Sequence, residues 1–202
     1  MIILTEEQAG EMVKDKTVAV VGNAKSILTY KNGHSIDAHE VIIRFNSGIP
    51  MESALFKTMG KRTDILAGFK FNRRQWELAG KPPIWYRGWY NTYQKPAKHR
   101  QWPGVQEWRA AKHREDVIAP YLVQNKGPSN GVMLLEVLVN LFEPRLIRIF
   151  GFDFFDTLSW YPESRGEFGG GKYHDGKSEE YYIKEVLGFH LDRPGVLIWE
   201  RS

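Results

Sequence analysis

Residues 17–23 read TVAVVGN, with four consecutive apolar residues, Val18 to Val21, running into Gly22-Asn23. A short continuous apolar run ended by a turn signal is the pattern of a strand buried on both faces, as in a parallel sheet. Glycine at its end permits a tight turn and a close backbone approach. The question is what the backbone approaches there. Gly-rich turns after a first strand commonly cradle phosphate, but the chain has neither G-x-x-x-x-G-K-[ST] nor G-x-G-x-x-G. A P-loop and a standard dinucleotide site are therefore excluded.

Further stretches repeat the pattern. EVIIRFN (40–46), TDILAGF (63–69), PIWYRG (83–88), RLIRIFGF (145–152) and GVLIWE (195–200) all read as strands. PSNGVMLLEVLVNLF (128–142) is the clearest helix: Pro128 and Ser129 sit where a start signal belongs, and apolar residues follow almost all round, so the helix is largely buried. SEEYYIKEVLGF (178–189) reads as a second helix, and a third is expected around 105–114. Strands alternating with helices predict an α/β protein, a single Rossmann-like domain over residues 1–202, with a mostly parallel sheet covered by helices on both faces. Ligands in that architecture bind beyond the carboxyl ends of the strands. Asn23, Asn46 and residues 151–153 all fall at such ends.

Composition narrows the classes. The 202 residues are 42% hydrophobic and 26% charged, with no cysteine. Disulfides, thiolate metal sites and a cysteine nucleophile are excluded, and a reducing compartment fits. No apolar run reaches membrane-spanning length, and the opening MIILTEEQAGEMVKDK turns acidic too early for a signal peptide. The expected location is the cytoplasm. Charge is uneven: residues 70–114 hold eleven Lys and Arg against Glu77 and Glu107, a net +9, leaving −5 on the remainder of a chain whose total is +4. Five of the seven tryptophans (Trp76, Trp85, Trp89, Trp102, Trp108) lie in the same stretch. It reads either as a surface for an anionic partner, nucleic acid, a membrane surface or an acidic glycan, or as a solvated helical face with core aromatics. No histidine pair has zincin spacing, and DFFD (153–156) is not an adjacent-carboxylate metal motif, so Asp153 reads as a turn residue and no metal is expected.

Three separated pieces remain: VAVVGN with SIDAHEVIIRFN, GPSNG opening the long helix, and GGGKYHDGKSEE. Together they resemble the eukaryotic-type sialyltransferases, glycosyltransferase family 29, with sialylmotifs L, S, III and VS. Val18 to Asn23 and residues 36–46 are similar to the large motif. PSNG (128–131) followed by FGF (150–152) is similar to the small one, and His174 to Glu179 to the closing H-x4-E. The resemblance spans residues 17–187 and points to a compact, cysteine-free, bacterial or phage version. Val18 and Phe142 stand where the family has its bridging cysteines, which implies a packing contact in place of the bond. SWYPES (159–164) is the nearest stretch to motif III but lacks its histidine, so Lys25 or Tyr161 is expected to take that histidine's place at the phosphate.

The resemblance implies an inverting, metal-independent glycosyltransferase that moves an acid sugar, sialic acid or Kdo, from its CMP-activated donor to a glycan or glycolipid hydroxyl, with no cofactor; the basic, tryptophan-rich segment 70–114 would then bind the acceptor. Asn23 and Asn46 would offer carboxamide N–H groups to the leaving phosphate, and Gly22 would let the backbone approach it. Ser129, Asn130 and Gly131 open a helix whose amino end suits an anionic group of the donor. His174 is the expected general base, flanked by Gly166, Gly169, Gly170, Gly171 and Gly176 in a lid-like stretch. Glu179 is expected either to cap the following helix or to orient the site. Arg44 reads as an internal salt bridge to Asp37 or Asp64, and His39 as structural. Two other readings stand beside this one: a catalytically silent nucleotide- or glycan-binding module, which the incomplete motif III favours, and a basic nucleic-acid binder, which no RNA or DNA motif supports.

Overall fold

The computed structural model describes residues 4–68, 73–86, 117–123, 126–161 and 174–201. The helix expected around 105–114, most of the basic segment 70–114 and Gly166 to Gly171 lie outside the described residues. The described chain runs α1 (Glu6–Val13), β1 (Thr17–Val21), a 3-10 turn (Lys25–Thr29), α2 (Gly33–Asp37), β2 (Val41–Phe45), α3 (Ser53–Met59), β3 (Ile65–Gly68), α4 (Arg73–Leu78) and β4 (Ile84–Tyr86). It continues through α5 (Asn130–Val137), β5 (Leu146–Phe150), α6 (Gly176–Tyr181), β6 (His190–Arg193) and β7 (Val196–Glu200).

The strands form one seven-stranded sheet in the order β4-β3-β2-β1-β5-β7-β6. The first five in that order are mutually parallel, and β7 and β6 join antiparallel. The expected α/β, Rossmann-like class is what the chain adopts. The period-2 geometry of a strand splits its side chains between two cores. On one face Val18 and Val20 of β1, Ile43 of β2 and Ile147 and Ile149 of β5 pack with Ala9 and Val13 of α1, with Val132 to Leu135 of α5, and with Tyr182 and Ile183. On the other, Ala19, Val21, Ile42 and Phe150 pack with Ile27, Ile36 of α2 and Met59 of α3. Each fully buried aliphatic side chain contributes roughly 1.5–3 kcal/mol by leaving water, which is why a run apolar on both sides is stable only here.

Helix α5 is buried round nearly its whole circumference, from Val132 to Leu138. It continues as a π-helical turn, Leu138–Phe142, and stops where Glu143 turns left-handed at φ 50°. Val18 and Phe142 share the larger core, and Phe142 also stacks on Trp85 with ring centroids 5.2 Å apart. Among the described residues, no helix is long and apolar enough to cross a membrane.

The strand order has one consequence for function. The chain lays down β1 to β4 outward in one direction, then returns to place β5 on the opposite side of β1. Connections on either side of that reversal leave in opposite directions, which opens a crevice beyond the carboxyl ends of β1 and β5.

Candidate active site

Strand β1 ends at that crevice. The Gly22 amide donates to the Phe150 carbonyl at 2.7 Å, and the Ala24 amide to the Gly151 carbonyl at 3.2 Å. A Cβ on Gly22 would lie 2.4 Å from the Gly151 oxygen and 2.7 Å from Cδ2 of Phe152. What the backbone approaches after β1 is therefore the turn after β5.

Asn23 reaches across the end of β2: its Nδ2 donates to the Phe45 carbonyl at 3.3 Å and lies 3.5 Å from the Tyr161 hydroxyl. Its Oδ1 is buried without a hydrogen-bond partner among the described residues, and a Cβ on Gly48 would lie only 2.2 Å from it. Asn46, one residue past β2, takes the left-handed conformation, φ 51°, that asparagine tolerates better than most residues. Its amide donates to the Ala67 carbonyl at 2.9 Å, and its Oδ1 would meet a Cβ on Gly68 at 2.4 Å. Both carboxamides thus rest on glycines, Gly48 and Gly68, at neighbouring strand ends. Lys25 begins the 3-10 turn with an exposed side chain, and its amide donates to the Leu158 carbonyl at 2.8 Å.

Helix α5 brings its amino end to the same edge. Ser129 is the N-cap, its Oγ accepting from the Val132 amide at 3.3 Å. Asn130 and Gly131 form the first turn, where backbone N–H groups lack partners within the helix. A Cβ on Gly131 would lie 2.6 Å from the Phe152 ring. Phe152 is thus held against Gly22 and Gly131, and edge-on to Phe45 with centroids 6.1 Å apart. It ties the ends of β1, β2 and β5 to the start of α5.

His174 and Glu179 complete the edge from the C-terminal part of the chain. Glu179 accepts from both the amide and the hydroxyl of Ser129, each at 2.7 Å. Of the two roles expected for Glu179, helix capping falls to Asp175 instead, whose carboxylate accepts from the Ser178 amide at 3.0 Å. Glu179 is one turn further in, so it points across to α5. Its side chain is 3% exposed, and burial pushes its pKa up to about 7 against the opposing effect of the two Ser129 bonds. The His174 Nδ1 lies 2.7 Å from the Gly127 carbonyl and 3.9 Å from Glu179 Oε1. A carbonyl can only accept, so Nδ1 carries the proton and the neutral ring has its lone pair on Nε2. The Phe155 ring stacks on the imidazole with centroids 5.3 Å apart and planes 17° apart.

Arg44 corrects one expectation. Its side chain is fully buried on the α3 side of β2, but it forms no ion pair among the described residues. Its NH2 donates to the Met59 carbonyl at 2.7 Å and its Nε to the Arg62 carbonyl at 3.0 Å and to Thr63 Oγ1. Asp37 and Asp64 act on it only at longer range, and burial lowers its pKa to about 10. Asp37 is engaged by the Lys61 and Arg62 amides, and Asp64 by the Ile42 amide and the Arg62 guanidinium. His39 is buried, with Nδ1 2.8 Å from the Ser35 carbonyl and its ring edge-on to Phe150, in keeping with a structural role. Among the described residues, no three His, Asp or Glu gather where they could hold a metal ion.

Fold and site together define an α/β protein with polar side chains, a helix amino end and an imidazole gathered at the topological switch point of its sheet, the position at which nucleotide-type ligands are held. Residues 4–68, about a third of the chain, match the model of glycosyltransferase family 29 (sialyltransferase), and the match supports assigning the chain to that family. Gly22, Asn23, Lys25 and Asn46 lie within the matched stretch; Ser129 to Gly131, Tyr161, His174 and Glu179 lie beyond it. No curated protein matches the chain. A sialyltransferase-like glycosyltransferase, with a sugar donor and a glycan acceptor, is the general class this supports.

Proposed function

We propose that the protein transfers an acid sugar, sialic acid or Kdo, from a CMP-activated donor to a glycan hydroxyl with inversion and without a metal. The observation that carries this reading is the chain of contacts His174–Glu179–Ser129, which fixes an imidazole to the amino end of α5 beside two glycine-bedded carboxamides. In the step, the acceptor hydroxyl gives its proton to Nε2 of His174. Its oxygen forms the new bond to the anomeric carbon, and the bond from that carbon to the phosphate oxygen breaks, with CMP leaving with the electron pair. Donors preorganised around the phosphate, Asn23 and Asn46 with the first amides of α5, stabilise the charge that grows there. Tyr161, whose hydroxyl is near Asn23, is a further donor for the same oxygen, and Lys25 an alternative.

The test is incubation with CMP-Neu5Ac and, separately, CMP-Kdo, across a panel of glycan acceptors, measuring CMP release. Wild-type protein is expected to consume one of them, and His174→Ala to lose on the order of 10²–10⁴-fold in rate, as removal of a general base does. Failure to consume either donor would overturn the transferase reading. Full activity in His174→Ala would overturn the base.

A further inference from the structure

Phe155 is built in an unusual way. Phe154 and Phe155 both take left-handed backbone, φ 54° and 70°. For bulky residues this is an outlier that persists only where the surroundings enforce it. What admits it is Gly176, two residues after His174: a Cβ there would lie 1.9 Å from the Phe154 carbonyl oxygen. Phe154 turns inward and packs against the main core, but Phe155 stays 37% exposed and Leu158, on the same loop, 52% exposed. The same bend that turns Phe154 inward leaves the Phe155 ring half open, stacked against the imidazole.

We propose that Phe155 is the acceptor platform, an inference that rests on the transferase reading above. The exposed part of its ring takes the C–H face of the acceptor's terminal pyranose, whose polarised hydrogens suit the negative face of an aromatic ring. Because the ring is stacked on His174, platform and base form one unit. A sugar seated on the first has its hydroxyl set relative to Nε2 of the second, which is the positioning that converts an encounter into a near-attack geometry. The substrate class this selects is a neutral pyranoside with an uninterrupted C–H face.

The probes are methyl β-D-galactopyranoside, methyl β-D-glucopyranoside and methyl N-acetyl-β-D-glucosaminide, titrated in the presence of CMP while the Phe155 ring and His174 Cε1–H resonances are followed. At least one pyranoside is expected to move both signals. Its dissociation constant is expected to rise about tenfold in Phe155→Ala and in Phe155→Leu, which keeps bulk but not the π face, and to be retained in Phe155→Tyr. Unchanged affinity in Phe155→Ala, or no binding of any of the three by the wild type, overturns the platform. The two readings fail separately. Phe155-dependent sugar binding without CMP release from either donor supports the platform and sinks the transferase. CMP release with acceptor affinity indifferent to Phe155 does the reverse.

Discussion

Replacing Glu179 by Gln removes one charge from the interior and leaves its shape. In the wild type the carboxylate accepts two hydrogen bonds from Ser129, yet burial outweighs them and lifts the pKa from 4.5 to about 7. A raised carboxyl pKa means that the folded protein holds a proton that the unfolded chain releases. The stabilisation from that proton is complete below pH 4.5 and is lost as pH rises through 7. A shift of this size corresponds to about 3 kcal/mol in all, of which about 2.5 kcal/mol falls between pH 5 and pH 8. Glutamine does not titrate. Its oxygen accepts from the Ser129 amide, and its nitrogen donates to Ser129 Oγ, which has a second lone pair for the Val132 amide. Urea unfolding of both proteins at pH 5 and pH 8 isolates the effect, because every other titrating group cancels in the difference. Glu179→Gln is expected to gain about 2.5 kcal/mol on the wild type between the two pH values. A difference that stays constant across that range would refute the reasoning, because Glu179 would then ionise as an ordinary solvated carboxylate.

Two further outcomes follow from the packing. Gly131→Ala places a methyl group 2.6 Å from the Phe152 ring and against no other tight neighbour, so it should cost about 1–3 kcal/mol in thermal or urea unfolding. Adding Phe152→Leu should recover part of that loss in a double-mutant cycle, and strict additivity would show that the ring is not the obstacle. His39 has its pKa lowered, chiefly by burial and further by Arg148 and Arg193, so its contribution is present above pH 6.5 and is lost as pH falls below that value. His39→Asn should therefore flatten the acid side of the stability–pH curve between pH 7.5 and 5; an unchanged slope would remove His39 as its source.

Most of the sheet was legible because a strand buried on both faces must be apolar at every position. The stretches around β1 to β5 and β7 come close to it, with Arg44, Arg148 and Glu200 as the charged exceptions. Strand β6 does not: His190 to Arg193 are exposed throughout, so no hydrophobic pattern marks them, and only pairing with β7 makes them a strand. Helix α1 carried a signal that went unread, Thr5 with Gln8 three residues on, which the fold uses as a reciprocal capping box. At the site, Asn23 and Asn46 stood out as polar residues ending apolar runs. Phe152 was visible only as the end of FGF, and Phe155 not at all, because their contacts depend on the side chains absent from Gly22, Gly131 and Gly176 far away in sequence. The bond from Glu179 to Ser129 was hidden for the same reason: H-x4-E spacing suggested a local cap, and only the fold brings a residue fifty positions earlier within reach.

That fifty-residue span sets an order of events as the chain emerges from the ribosome. Strands β1 to β5 and helix α5 can assemble on their own contacts, but Ser129 gains its carboxylate partner, and the crevice its imidazole, only after residue 179 has been made and α6 has docked. The nascent protein would therefore carry β1 to β5 with an incomplete cleft until α6 has emerged and docked. The proposed transfer would then be withheld from any chain that stalls before that point.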